Sequence, residues 1–188
     1  MSTSLTASDT RSYYWLGFSP DWQRNDKLHT VKVELRRPGL ELRYRTSFRD
    51  LSHDAEVAMK VESALLFGRY PGALPMPMRL GKPQRTKKGV EIPVTLGLPV
   101  DVMTALPAIG GYMTQVKLHF AASDDNGNSS DLAVLPVSLA TPAAPQPGKF
   151  IRYDTTVTLH GKADHLVVAA YDPLSGKVAT AEADLALP

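Results

Sequence analysis

Cysteine is absent from this 188-residue chain, and neither sign of charge dominates. Without a thiol the chain has no disulfide framework, no thiolate nucleophile and no cysteine zinc site. The 21 Lys and Arg residues against 19 Asp and Glu leave a net charge of +2, which is too small to attract phosphate backbones or anionic lipid over a distance. We therefore expect no nucleic acid and no membrane surface among its partners.

Long apolar runs are also missing. The longest, Ala133 to Pro145, is interrupted by three prolines and is far shorter than the roughly 20 residues that span a bilayer. Residues 1–10 are rich in Ser and Thr, and they lack the basic start and apolar centre of a secretory signal. The sequence predicts no membrane span and no signal peptide in this chain.

Two alternating runs near the N-terminus predict a β-hairpin. Apolar and polar residues alternate from Leu28 to Leu35 and again from Leu40 to Arg45. Between the runs, Pro38 and Gly39 stand at the two central positions of a type II turn, the second of which requires a positive φ. Residues 1–50 therefore read as an N-terminal β segment.

The period changes to that of a helix after this segment. Apolar residues recur at helical intervals up to Leu66, Ser52 stands where a cap belongs, and Gly68 follows the last turn. We expect one short helix, Ser52 to Phe67, in a helix-and-linker segment covering residues 51–72.

Residues 73–188 read as a β domain. Seven short runs are separated by turns, without a further helical pattern. The runs are Ala73 to Leu80, Gly89 to Leu98, Tyr112 to Ala122, Asp131 to Ala140, Phe150 to Leu159, His165 to Tyr171 and Lys177 to Leu187. The fold class expected is mainly β: an immunoglobulin-like or fibronectin-like β-sandwich of about seven strands, lacking the Cys-Trp-Cys pattern of antibody domains.

Histidines are the first residues to weigh for metal or acid–base chemistry. The five are His29, His53, His119, His160 and His165. None belongs to an HxH or HExxH pattern, so their spacing predicts no zinc site. His160 and His165 could approach each other across a hairpin, although the pattern favours a solvated turn. A hydrolase could also be assembled from distant residues such as Asp164, His165 and a serine, but no motif favours it. No catalytic residue is therefore predicted.

An oxygen-rich loop is the metal candidate. Carboxylate and amide oxygens are the ligands that calcium prefers, and the candidates are Asp124, Asp125, Asn126, Asn128 and Asp131. The loop lacks the Glu that closes an EF-hand, and Asn126-Gly127 between strands is itself a hairpin signal. The sequence therefore favours a plain turn, a calcium site is the minor alternative, and no metal or cofactor is expected.

Three N-terminal runs resemble a known family. Tyr13 to Pro20, Leu28 to Val33 and Arg36 to Arg45 are similar, in order and spacing, to the closing strands of bacterial von Willebrand factor A-related proteins of the acidobacterial type. The resemblance spans Ser12 to Phe48. It implies the C-terminal portion of such a protein, with the last strands of its A domain followed by a β-sandwich. It also implies a place outside the cytoplasm, periplasmic or secreted.

The metal-dependent adhesion site of that family does not carry over to this chain. The family binds its cation through a DxSxS motif, and the nearest run here is Asp50-Leu51-Ser52-His53-Asp54. This run ends in Asp where the motif has Ser, and it opens the predicted helix instead of following a strand. No residue is assigned to a metal by the resemblance.

These observations predict a non-catalytic protein-interaction or adhesion-type accessory module. Its partner would be a protein, and its edge strands offer a route to a homodimer. The alternative is a carbohydrate-binding sandwich, in which exposed aromatics stack on sugar rings; the candidates are Trp15, Trp22, Tyr112 and Tyr153. Aromatic residues make up only 7% of the chain, and most of them should be needed in the core.

Overall fold

The computed structural model describes residues 16–36, 39, 42–68, 70, 72–130 and 133–186. Within these residues the chain is mainly β with one α-helix, which confirms the mainly β part of the predicted fold class. The chain divides into two compact units, Met1–Asp50 and Leu51–Pro188.

The described part of the first unit contains two short antiparallel strands. Strand β1 (Leu28–Thr30) pairs with β2 (Ser47–Arg49). Gly39 has φ 80°, the value that the third position of a type II turn requires, whereas Pro38 lies outside the described residues. Of the predicted strand 40–45, residues 42–45 are not in a strand, because residues 42–46 are exposed throughout and no buried face selects their alternation; residues 40 and 41 lie outside the described residues.

The described residues of the second unit form ten strands in two curled sheets. They are β3 (Leu74–Pro75), β4 (Met78–Leu80), β5 (Gln84–Thr86), β6 (Gly89–Pro99), β7 (Ala105–Ala108), β8 (Gly111–Ser123), β9 (Ala133–Thr141), β10 (Phe150–Leu159), β11 (His165–Tyr171) and β12 (Val178–Asp184). In the smaller sheet, β6 has β10 on one side and β4 and β5 on the other. In the larger sheet the order is β3, β12, β11, β8, with β7 and β9 also paired to β8. Only the β3–β12 pair is parallel among these.

The two sheets share one apolar core. Leu96 of β6, Leu118 of β8 and Val168 of β11 are fully buried and belong to the same cluster. Each of these strands alternates, so one set of side chains enters the core and the other faces away from it. Removing these apolar side chains from water is the main force that holds the sheets together.

The helix α1 (His53–Phe67) has the caps that the sequence predicts. The Ser52 side chain accepts a hydrogen bond from Ala55 N at 3.1 Å, and Gly68 ends the helix at φ 69°. The helix buries Val57, Val61 and Ala64 against the outer face of the larger sheet, where they contact a cluster that includes Tyr171. The central strands of the larger sheet, β8 and β11, are therefore covered on both faces.

The predicted run from Ala73 to Leu80 is divided between the two sheets. Its first part, β3, pairs with β12, while its second part, β4, pairs with β6. Pro75 and Pro77 have no N–H to donate, and Pro77 O accepts a hydrogen bond from Gly97 N at 2.8 Å. The chain crosses from one sheet to the other at these prolines, so a single strand was the wrong interpretation.

Candidate functional site

The oxygen-rich loop is a turn that Asp124 holds together. One carboxylate oxygen, Oδ1, accepts hydrogen bonds from Asn126 N at 3.0 Å and Asn128 N at 2.8 Å, and Oδ2 accepts from Asn128 Nδ2 at 2.8 Å. The hydrogen bonds from Asn128 lower the pKa of Asp124. The turn therefore occupies the carboxylate that was the first calcium candidate. Asp131 lies outside the described residues, and the calcium site stays an alternative hypothesis.

The two histidines beside the next connection do not face each other across a hairpin. Strand β10 pairs with β6, whereas β11 pairs with β8 and β12, so the connection crosses between sheets. His165 Nδ1 instead lies 3.1 Å from Asp184 Oδ1 on β12. Asp164 Oδ2 accepts a hydrogen bond from Asp125 N at 3.1 Å, which ties two connections together. Among the described residues, no three His, Asp or Glu side chains are grouped to hold a metal ion.

His119 is buried, although its alternation on β8 places it among the predicted polar positions. It is 1% exposed, and neither ring nitrogen has a hydrogen-bond partner among the described residues. Its ring lies edge-on to Tyr171, with centroids 6.4 Å apart. Burial lowers the pKa of His119, because the charged form loses its hydration. The alternating pattern of β8 could not reveal the burial of His119, because the element that covers this face is α1, which is distant in sequence.

The run Asp50 to Asp54, which resembles the DxSxS motif in part, has side chains that form structural contacts in both units. Asp50 Oδ2 accepts hydrogen bonds from Gln23 N at 2.8 Å and Arg24 N at 3.0 Å in the first unit. In the second unit, Ser52 caps α1 and Asp54 forms an ion pair with Lys117. Asp50, Ser52 and Asp54 therefore each have an identified structural partner.

A cleft of about 580 Å³ opens between the two sheets. Apolar side chains from both sheets line it, among them Phe120, Leu159 and Leu166. His160 and Asp124 also line it, from the two connecting loops. The cleft lies beside the C-terminal part of β10, which contributes Val157 and the residues that follow to its wall.

The edges of the two sheets differ in how they are protected. Four edge strands, β3, β4, β5 and β7, have only two to four residues each. Strand β9 has nine residues but carries Pro136 near its centre. Strand β10 has ten residues, without proline or glycine, and no described strand pairs with the side facing away from β6. We call that side the free edge of β10.

The backbone groups at the free edge follow from the hydrogen bonds of β6. Gly97 N donates to Pro77 O, and Pro93 O accepts from Gly81 N at 2.7 Å, so the odd-numbered residues of β6 face β4 and β5. The even-numbered residues of β6 therefore face β10, where they oppose odd-numbered residues such as Tyr153. The residues of β10 whose N–H and C=O groups point outward are the remaining ones: Phe150, Arg152, Asp154, Thr156 and Thr158.

The same reasoning shows why β9 is a poor edge for pairing. Ser130 N donates to Ala122 O at 2.8 Å, so the even-numbered residues of β8 face β9. Leu118 opposes Leu135, and these two exchange hydrogen bonds, which leaves the neighbouring Pro136 pointing outward. An incoming strand would find no N–H at that position.

Two opposite charges lie beside the free edge of β10. Arg152 Nε is 2.9 Å from Asp154 Oδ2, and Thr95 Oγ1 donates to Asp154 Oδ1 at 2.6 Å. The hydrogen bonds from Thr95 and Arg152 lower the pKa of Asp154. Both side chains are exposed on the face away from the core, and their positions on the strand are fixed by these contacts.

The exposed aromatics of the first unit surround Phe48. His29 stacks on it with centroids 5.1 Å apart, whereas Trp22 approaches it edge-on at 5.6 Å. Phe18 and Trp22 are more than half exposed. Of the other predicted sugar-stacking residues, Tyr112 and Tyr153 are half-buried and Trp15 lies outside the described residues.

Comparison of the chain with protein-family models, curated proteins and solved structures finds no match. In the described part of the chain, no helix has the length and apolar character to cross a membrane.

Proposed function

We propose that this chain is a non-catalytic protein-interaction module whose free β10 edge takes up an extended segment of a partner. Its larger unit would be an immunoglobulin-like sandwich, and the whole would be the accessory C-terminal part of a von Willebrand factor A-related protein outside the cytoplasm. The observation that carries the proposal is the ten-residue edge strand with outward-pointing backbone groups and no proline.

Strand addition explains how such an edge binds. Main-chain hydrogen bonds supply affinity, and side chains flanking the edge select the segment. Arg152 and Asp154 are the flanking charges here, so an acceptable segment carries charges of opposite sign at the matching positions. The family assignment and the location rest on the resemblance of residues 12–48.

A displayed library of extended peptides tests this function. Clones are selected on the full chain and then compared on Thr156→Pro, which removes one outward N–H, and on Thr156→Val, which retains it. We expect selected peptides to bind the wild type and Thr156→Val but to lose at least about tenfold in affinity for Thr156→Pro. Equal binding to all three proteins would contradict the proposed use of β10.

The exposure of Trp22 and Phe18 favours one second candidate, a carbohydrate-binding function. The geometry gives limited support, because Trp22 meets Phe48 edge-on instead of forming a flat platform with it. Quenching of tryptophan fluorescence by a glycan panel, lost in Trp22→Ala, would support this candidate.

A further inference from the structure

We infer that the free edge of β10 pairs with β10 of a second copy of this chain, antiparallel about a twofold axis, with Arg152 of each copy opposite Asp154 of the other. This inference rests on the proposed use of the β10 edge and identifies its partner. The twofold axis passes between the two copies of Tyr153.

The register follows from which residues face outward. Only residues with outward N–H and C=O groups exchange hydrogen bonds across the new pair, so Arg152 must oppose another even-numbered residue. A register with Arg152 opposite itself, or with Asp154 opposite itself, faces like charges directly across the strands, which is destabilising. The register that lies midway between these two unfavourable registers places Arg152 of each copy opposite Asp154 of the other. It therefore forms two Arg152–Asp154 pairs. Larger shifts place neither charge opposite its complement.

The favoured register also fits the remaining residues. It places Phe150, which is 54% exposed, opposite Thr156, and Ile151 opposite Thr155. Arg152 and Asp154 of one copy already contact each other, so the four charges of a dimer would alternate in sign around the axis. Each copy would contribute the segment 150–156.

The contact is small, so the dimer should be weak and reversible. Stable interfaces use roughly 20–30 residues a side, several times more than the segment 150–156 offers. The alternative edges are less suited to self-pairing, because β9 carries the outward Pro136 and the others have at most four residues. A second copy is favoured over an unrelated segment because the edge is its own charge complement.

Sedimentation equilibrium of the full chain, from about 10 to 500 µM, tests the inference in the range expected for a small interface. The wild type should show reversible monomer–dimer association. Arg152→Asp places like charges opposite each other and should weaken association at least about tenfold. The double variant Arg152→Asp with Asp154→Arg exchanges the charges and should restore association to within about threefold of the wild type.

Lys60→Asp is the matched control. It makes the same change in net charge on an exposed face of α1, remote in sequence from β10, and should leave association unchanged. Far-UV circular dichroism of every variant checks that the fold is retained.

The outcomes distinguish self-pairing of β10 from the binding of a different extended segment at the same edge. A strict monomer across this range, or a dimer that Arg152→Asp does not weaken, would overturn self-pairing. If library peptides nevertheless bind in a manner sensitive to Thr156→Pro, the edge is an interaction site for a different segment. If the dimer survives Thr156→Pro and no peptide is sensitive to it, both proposals are wrong.

Discussion

His119 is the residue whose environment departs most from its sequence pattern. It lies on the face of β8 that α1 covers, and within the described part of the chain neither ring nitrogen forms a hydrogen bond. Burial is the largest cause of its lowered pKa; Asp54 acts in the opposite direction, and Lys117 reinforces the lowering. The neutral imidazole is therefore the form that the folded chain accommodates.

Acid should destabilise the fold through His119. Because its pKa is lower in the folded than in the unfolded state, its contribution is retained above the unfolded value near 6.5 and lost as pH falls below it. The loss should be at most about 1.4 kcal/mol per pH unit for this one proton. Urea unfolding between about pH 8 and 5 should show a smaller loss in His119→Leu. The exposed His160→Leu should behave as the wild type, and equal slopes in all three would contradict this account.

Gly111 is required by a close backbone approach. Its φ is 148°, and an added Cβ would lie 2.1 Å from the carbonyl oxygen of Thr141 on β9. Gly111→Ala should cost roughly 2–4 kcal/mol, because backbone must shift at the start of β8. The neighbouring Gly110 has φ 82° but open space around its Cβ position, so Gly110→Ala should cost only about 1 kcal/mol. Equal costs in urea unfolding would contradict the steric reason.

At the scale of elements, features that depend on neighbours in sequence could be predicted. Helix α1 was predicted from the sequence, because Ser52, the apolar spacing and Gly68 all act within or next to the helix itself. The bounds of β10, Phe150 to Leu159, were also predicted correctly.

Features that depend on distant partners could not be predicted in this way. Strand β5 carries no apolar alternation, and β7 contains a proline, so each exists through its pairing with a longer strand. The same limit applies to the candidate site. The sequence suggested edge strands as a dimer route, but only the pairing of β6 shows which side of β10 is free.

The helix cap offers a test at this scale. Ser52→Ala should destabilise the second unit by about 1 kcal/mol, because the Ala55 N–H loses its acceptor. Ser52→Asn should retain most of the stability, since its side chain supplies an acceptor at the same place. Thermal unfolding followed at 222 nm compares them; an Ala variant as stable as the wild type would contradict a role for the cap.

At the scale of the whole second unit, the edges have unequal protection. One long edge carries an outward proline and the short edges offer few groups, whereas β10 presents alternating donors and acceptors beside a complementary pair of charges. This inequality is the basis of the proposed interaction and of the inferred self-pairing.

Amide hydrogen exchange along β10, resolved by residue and measured at low and high protein concentration, tests this account most directly. The amides of Tyr153 and Thr155 face β6 and should be protected at both concentrations. The outward amides of Arg152, Asp154 and Thr156 should exchange rapidly in dilute solution and become protected as concentration rises. Outward amides that are protected in the dilute monomer would show that the edge is already covered. Outward amides that stay unprotected at high concentration would show that no second copy binds there.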